Sequence, residues 1–456
     1  MAGFIITIFL GLIILAVRLS QMDHLSKSVL SFYLFIWGLA ILLSALNLFH
    51  INIVSSNTYV LLFIHVVAFV LGFSIQNSKR VEIRTINHAS IDYQINRLVN
   101  NKLFRVALIV ITLYVISLFW VYFRQIMIYN NLADIRSEFY YGDNMYGEHY
   151  RIINQWLLKP FSIIVIPLFA YLCYNRRDKY CLLIGLFLLI YNSLSAGRFG
   201  YIKIAIGFVF IVFCLLPYLK KKASNWLVVL LVFAAVYLLV MMVTVARLQS
   251  FGSFSSMTET GREIVGENAV IAVTQPINSL DYAINAINQN YVDRVGGYQY
   301  GGLTLTSLQK IVNPFLRIID SGFVLSSSKL DFKQEEYIDI GYIRDQNALY
   351  TSSLWYYLDL GWIGVILFPF LFGLLIRTTI MRLYKYQSFP SVVMVAYLFQ
   401  LMIFSLFDYY ITGEHDLFFL ILLWWLSSVP QVNKQRMATP LVIYLVLAFL
   451  YSFTQL

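Results

Sequence analysis

Four short stretches carry residues whose types could do chemistry. SLSAGRFGYIK (193–203) sets Arg198 in a turn of a few residues between two long apolar runs, VTVARLQ ends another run on Arg247, GYIRDQN carries Arg344, and TGEHD places Glu414, His415 and Asp416 side by side. A guanidinium is a planar fork of donors that matches phosphate or pyrophosphate oxygens two at a time, which the point charge of a lysine does not. Ala196, Gly197 and Gly200 flank Arg198 and are small enough to let backbone or a ligand come close. A histidine between two carboxylates could take a proton from an acceptor hydroxyl near neutral pH. Each stretch also has a plainer reading. An arginine at the edge of an apolar run snorkels to lipid headgroups, and an acidic turn with a histidine is a solvated turn.

The elements that must position these residues follow from composition. With 60% hydrophobic and 12% charged residues and a mean hydropathy of +0.72, the solvent for most of the chain has to be lipid. About 17–25 mainly apolar residues cross a bilayer core as a helix. That length picks out twelve spans, near 3–18, 29–49, 58–75, 104–128, 153–174, 180–195, 200–219, 226–245, 352–376, 389–410, 416–430 and 437–454. The first run has no basic residue before it, and Arg18 follows it, an order that predicts a retained span rather than a cleaved leader. The expected fold is therefore all-α, a polytopic membrane bundle of about twelve helices. Residues 1–245 hold eight of them, 246–346 form one large loop outside the membrane, and 347–456 hold the last four.

Basic residues give the orientation. The loops 18–28, 76–105, 175–179, 219–225, 377–387 and 431–436 hold 19 of the 33 Lys and Arg, which marks them as cytoplasmic, whereas 50–57 and 411–416 hold none. The 246–346 stretch carries 8 basic and 11 acidic residues, as a long translocated loop can. This alternation puts Arg198, Arg247, Arg344 and the TGEHD turn on the outer face. Within the large loop, Ile277, Leu280, Ile284, Ile287 and Tyr291 fall at helical spacing, as do Leu305, Leu308, Val312, Phe315 and Ile319, with Asn313-Pro314 expected to break the second helix. Both predict short helices capping the membrane.

Several function classes lack their residues. The chain has no G-x-x-x-x-G-K-[ST], G-x-G-x-x-G, H-E-x-x-H or G-x-S-x-G, and no D-x-D pair for a metal-dependent nucleotide-sugar transferase. The basic residues sit in short clusters between apolar runs, the pattern of topology signals rather than of a nucleic-acid surface. Cys173, Cys181 and Cys214 show no metal-ligand spacing and no disulfide framework, and read as small core residues. No metal or cofactor is implied, so energy for any transfer has to arrive in the substrate.

The order of these pieces resembles the oligosaccharide repeat unit polymerase family, the Wzy-type O-antigen polymerases, over roughly residues 180–380. The matching pieces are SAGRFG after a span, Arg247 at the end of the next-but-one helix, TQPINSLDYAI, GGLTLTSLQKIVNP, and NALYTSSLWYYLDLGWIGVILFPFLFG entering a span. The resemblance implies a bacterial inner-membrane glycosyltransferase that joins undecaprenyl-pyrophosphate-linked repeat units on the periplasmic side, working within the lipid bilayer beside a polysaccharide chain-length regulator. It also implies that Arg198 and Arg247, with Arg344, hold pyrophosphate. Two neighbouring functions stay open. An O-antigen ligase is expected to use a histidine in the large outer loop, but none of the six histidines falls in 246–346. A lipid-linked oligosaccharide flippase is expected to show two similar halves, whereas the large loop makes these halves unlike.

Overall fold

The computed structural model describes residues 2–20, 22–48, 52–75, 86, 88–129, 146, 148–175, 179–194, 199–215, 234, 237–238, 254–285, 292, 297–319, 337–338, 346–347, 350–408, 411 and 413–428. Among them the structure is helical, apart from one antiparallel pair of two-residue strands, β1 (Tyr337–Ile338) and β2 (Gln346–Asn347). Six helices are long and apolar enough to cross a membrane: Ala2–Leu19, His24–Ala45, Ser56–Ser74, Lys102–Gln125, Tyr150–Tyr174 and Ser352–Tyr386. Four shorter apolar helices, Tyr180–Ser193, Phe199–Leu215, Phe389–Phe404 and His415–Ser428, lie where four further spans are expected. The chain is a helical membrane protein. The expected spans at 226–245 and 437–454 lie outside the described residues.

Chain contacts divide the protein into two units, one of residues 1–85, 267–385 and 401–428, the other of 86–266, 386–400 and 429–456. In the first, α1 (Ala2–Leu19) packs on α2 (His24–Ala45) and α3 (Ser56–Ser74). Asp23 and Ser55 start α2 and α3 as N-caps, accepting from the amides of Ser26 and Thr58. The core is aromatic. Tyr33 lies 3.9 Å from Phe69 by ring centroids, and Trp37, His65 and Tyr356 stack in series at 4.8 and 5.7 Å. The Nδ1 of His65 is 2.9 Å from the Ser353 hydroxyl, so a buried imidazole in an apolar helix has a polar partner.

The largest element of this unit is α12 (Ser352–Tyr386), and its helical conformation breaks at Leu360 (φ −139°) and Gly361 (φ 59°, ψ −140°). The latter is a backbone state that only glycine adopts readily. Lower on α12, Gly373 lies against the backbone of Phe69 and Phe73, while Gly72 of α3 lies against the Phe370 carbonyl. The two helices thus cross backbone to backbone, which small residues permit in membranes. A buried ion pair fixes the far end: Arg377 meets Asp23 at 2.6 Å, Tyr384 donates to the same carboxylate at 2.9 Å, and Arg377 also reaches the Ser26 hydroxyl.

Two expectations for the large loop change. The TQPINSLDYAI stretch belongs to α10 (Phe254–Asn285), 32 residues long and buried at every position from Thr274 to Leu280. It is a core helix, not a cap, because its small and polar side chains Thr274, Asn278 and Ser279 face protein as readily as Ile277 and Leu280 do. The second helix, α11 (Thr306–Ile319), runs through Asn313-Pro314 rather than ending there. A proline inside a helix forfeits one hydrogen bond and strains the preceding turn, at a cost of about 3 kcal/mol, and the apolar spacing on either side sustains the helix. Leu305, just before it, and Leu308 are each 46% exposed, so the first turn of this helix presents apolar side chains at the surface.

In the second unit α4 (His88–Val99), α5 (Lys102–Tyr129), α6 (Glu148–Ile153), α7 (Lys159–Asn175), α8 (Lys179–Ser193) and α9 (Phe199–Val209) follow in chain order, with π-helical turns at Asn154–Leu158 and Phe210–Leu215. Helix α8 packs on α5 and α7, joined by Phe161 and Phe187 edge to face at 5.1 Å. Gln94 of α4 accepts from the Phe389 amide at 2.8 Å and donates to the Gln387 carbonyl at 3.1 Å, setting the start of α13 (Phe389–Phe404). Helix α14 (Glu414–Ser428) closes the described chain in the first unit.

Within each unit, contacts between loops group the helix ends consistently. In the first, 18–28 meets 377–387 through Asp23 and Arg377, and 50–57 meets α10 through Asp281, which accepts from Ser55 and Thr58. In the second, the 76–105 loop meets Tyr171, Tyr180 and Gln387, while Tyr146 donates to the Leu194 carbonyl.

Candidate functional site

The polar groups of the first unit gather where the 297–307 turn meets the start of α12 and the 405–416 segment. The turn is held by its backbone. Gln299 and Tyr300 donate to the carbonyls of Leu358 and Asp359 at 3.0 and 2.9 Å. The Asp359 carboxylate, fully buried, accepts from the amides of Leu303 and Thr304 at 2.9 and 2.7 Å, one on each oxygen. A carboxylate with both oxygens on backbone donors is a strong, charge-assisted tie. Gly361, two residues on, turns the chain under Tyr298, whose hydroxyl would be only 3.2 Å from any Cβ placed there.

Beside this tie lies a cavity of ≈ 270 Å³. Its lining is mainly apolar, with Phe368, Leu371, Phe372 and Leu375 of α12, and also includes Thr304, Ser405 and Asp408. Asp408 accepts from the Trp355 indole at 3.0 Å, and Ser405 offers its carbonyl to the Ser352 amide at 2.8 Å. A mainly apolar lining with a few hydroxyls and one carboxylate suits a ligand that is itself part apolar and part polar.

The TGEHD residues follow Ile411, which lines this cavity. Ser307 donates its hydroxyl to the carbonyl of Ile411, and α11 packs on α14. Glu414 opens α14, so the acidic cluster sits in the first turn of a helix, where negative charge is favoured by the exposed amides. His415 and Asp416 are 7% and 3% exposed, which removes the solvated-turn reading for these two. Nε2 of His415 lies 3.5 Å from Oδ2 of Asp416, an ion pair when the imidazole is protonated. The pair can hold a proton and fix the ring's orientation. The side chain of Glu414 lies outside the described residues.

Arg198, Arg247 and Arg344 also lie outside the described residues. The neighbourhood of Arg198 is described from Phe199 onward, and there the space left by Gly200 is taken by the Asn192 side chain. That glycine serves the packing of α9 on α8. Among the described residues no group of three or more His, Cys, Asp and Glu is placed to hold a metal ion.

Sequence reasoning passed over Asp359, Asp408, Asp281 and His65. The signal was present for two of them. An aspartate in WYYLDLGW and a histidine in VLLFIHVVAFV each interrupt an apolar run, which costs a few kcal/mol on insertion scales unless a partner waits. Compared with family models, with curated proteins and with solved structures, the chain gives no match.

Proposed function

We propose that this protein is a Wzy-type polymerase of the bacterial inner membrane. It has twelve spans and its active face in the periplasm, and it joins undecaprenyl-pyrophosphate-linked oligosaccharide repeats into a surface polysaccharide such as O-antigen. The observation that carries the reading is the Asp359 tie: two segments of the resemblance, GGLTLTSLQ and LYTSSLWYYLDLGW, are bound through it beside a cavity with a mainly apolar lining. A lipid-linked glycan is part apolar and part polar, and its pyrophosphate is a good leaving group once its charge is neutralised.

On this reading Arg198 and Arg247, aided by Arg344, neutralise the pyrophosphate of the growing chain. A group among Glu414, His415 and Asp416 takes the proton of a hydroxyl at the non-reducing end of the incoming repeat. That oxygen attacks the anomeric carbon, the glycan transfers, and undecaprenyl pyrophosphate leaves. A chain-length regulator alongside would set how often the cycle repeats.

The test is a glycan ladder gel. Arg198→Ala and Arg247→Ala, at native expression, are expected to give lipid A core capped with single repeats and to slow polymer formation by about 10²–10³-fold, as loss of one preorganised donor does. Lysine at either site should restore little, since it lacks the fork. Normal ladders in both variants would overturn the assignment. A deletion strain that lacks all surface glycan points instead to a flippase, and one that accumulates unattached polymer points to a ligase.

A further inference from the structure

Cys173 and Cys181 face each other across the turn between α7 and α8, their Sγ atoms 2.8 Å apart. That is inside ordinary van der Waals contact, yet both are thiols in this structure. They are eight positions apart, Cys173 in the last turn of α7 and Cys181 in the first turn of α8, so the two helix ends bring them together. Cys214 is buried in the π-helical turn after α9.

We infer that Cys173 and Cys181 are a redox modification site, which closes to an intramolecular disulfide when exposed to a low-molecular-weight disulfide such as glutathione disulfide. The inference is independent of the polymerase reading. Cys173 is half-buried and Cys181 buried, so Cys173 is the thiol that meets the reagent first. Its thiolate attacks one sulfur of the small disulfide, an S–S bond forms to Cys173, and one small thiol leaves. The Cys181 thiolate then attacks the Cys173 sulfur of that mixed disulfide and expels the second small thiol. Two protein thiols are oxidised, one small disulfide is reduced, and two protons pass to the departing thiolates. The loop between them, NRRDK, is among those that charge marks as cytoplasmic. Disulfides formed in that compartment are characteristically transient and redox-sensing, so the pair ties α7 to α8 under oxidative conditions and releases them afterwards.

The test uses a protease cut in that loop. Arg176, Arg177 and Lys179 lie between the two cysteines, so trypsin separates them into peptides that only a disulfide can hold together. Membranes containing the full chain are treated with glutathione disulfide, the chain is unfolded, the remaining thiols are then blocked, and the chain is digested. The expected result is one linked peptide pair, parted by reductant, with Cys214 labelled by the blocking reagent added after unfolding. Cys173→Ser should carry no glutathione on Cys181 at times when Cys181→Ser already carries it on Cys173. Peptides that part without reductant overturn the proposal, as does a link involving Cys214. Equal rates of linking in folded membranes and in chain unfolded with detergent before oxidation would also overturn it, because the fold would then contribute nothing.

Discussion

At the scale of single residues, the molecule spends charge where charge can be answered. Asp23 is the clearest case. Burial alone would raise its carboxyl, but hydrogen bonds from the Ser26 amide and from Arg377, together with the Arg377 charge, outweigh that and hold it below its ordinary value of 3.8. The sign of the pH effect follows. A carboxyl lowered on folding contributes its stability in full above 3.8 and loses it as the pH falls through the lowered value. Purified protein in detergent should therefore show a melting midpoint that drops on acidification in this window, and Asp23→Asn should lose that part of the dependence. Removing one partner should cost more than the pair itself contributes. Arg377→Leu leaves a buried carboxylate uncompensated, for an expected loss of about 3–5 kcal/mol at neutral pH. A midpoint unchanged in Arg377→Leu would show that the pair is not closed in the folded protein.

At the scale of elements, glycine decides where helices touch. The crossing of α3 and α12 has no room for a methyl group, since a Cβ at Gly373 would press on the Phe69 backbone, whereas one at Gly11 of α1 would meet nothing within 4 Å. The two positions give a paired prediction for thermal unfolding. Gly373→Ala should lose about 1–3 kcal/mol by overpacking, and Gly11→Ala should gain about 0.5–1 kcal/mol from helix propensity alone. Equal effects at both sites would refute the crossing. Elements were also where the sequence was easiest and hardest to read. Runs such as LFIWGLAILLSAL are unambiguous, because only a helix satisfies its backbone in lipid. The placement of α10 was not legible. Its stretch TQPINSLDYAI is as polar as a surface helix, and periodicity cannot tell a polar face turned to water from one turned to other buried side chains. The same blindness applied to TGEHD, where a short acidic string gives no sign of the helix that buries His415 and Asp416.

At the scale of the whole molecule, sidedness is the property on which the proposed chemistry depends. Charge bias in the sequence sorts the loops into two sets. Single cysteines placed in a chain lacking its native three provide the check. Positions in 18–28 and 377–387 should react with an impermeant maleimide from one face only, and positions in 50–57 and 297–302 from the opposite face. Labelling of both sets from the same face would overturn the topology and, with it, a periplasmic site. The tie beside the cavity was not legible in sequence. Residue types pointed to arginines and an acid cluster, but Asp359 reaches a turn more than fifty residues earlier in the chain, and a partner at that separation leaves no trace in spacing.

The Asp23 and Arg377 side chains are 354 positions apart in the chain. At translation speeds of about 5–20 residues per second, the carboxylate is made roughly 20–70 s before the guanidinium that neutralises it. For that interval the first helices must shelter a lone negative charge at the membrane edge, by keeping it in water or by delaying their final depth. Assembly of the amino-terminal hairpin is thus completed from the other end of the protein, and a ribosome stalled before Arg377 would leave behind a half-seated, protease-sensitive product.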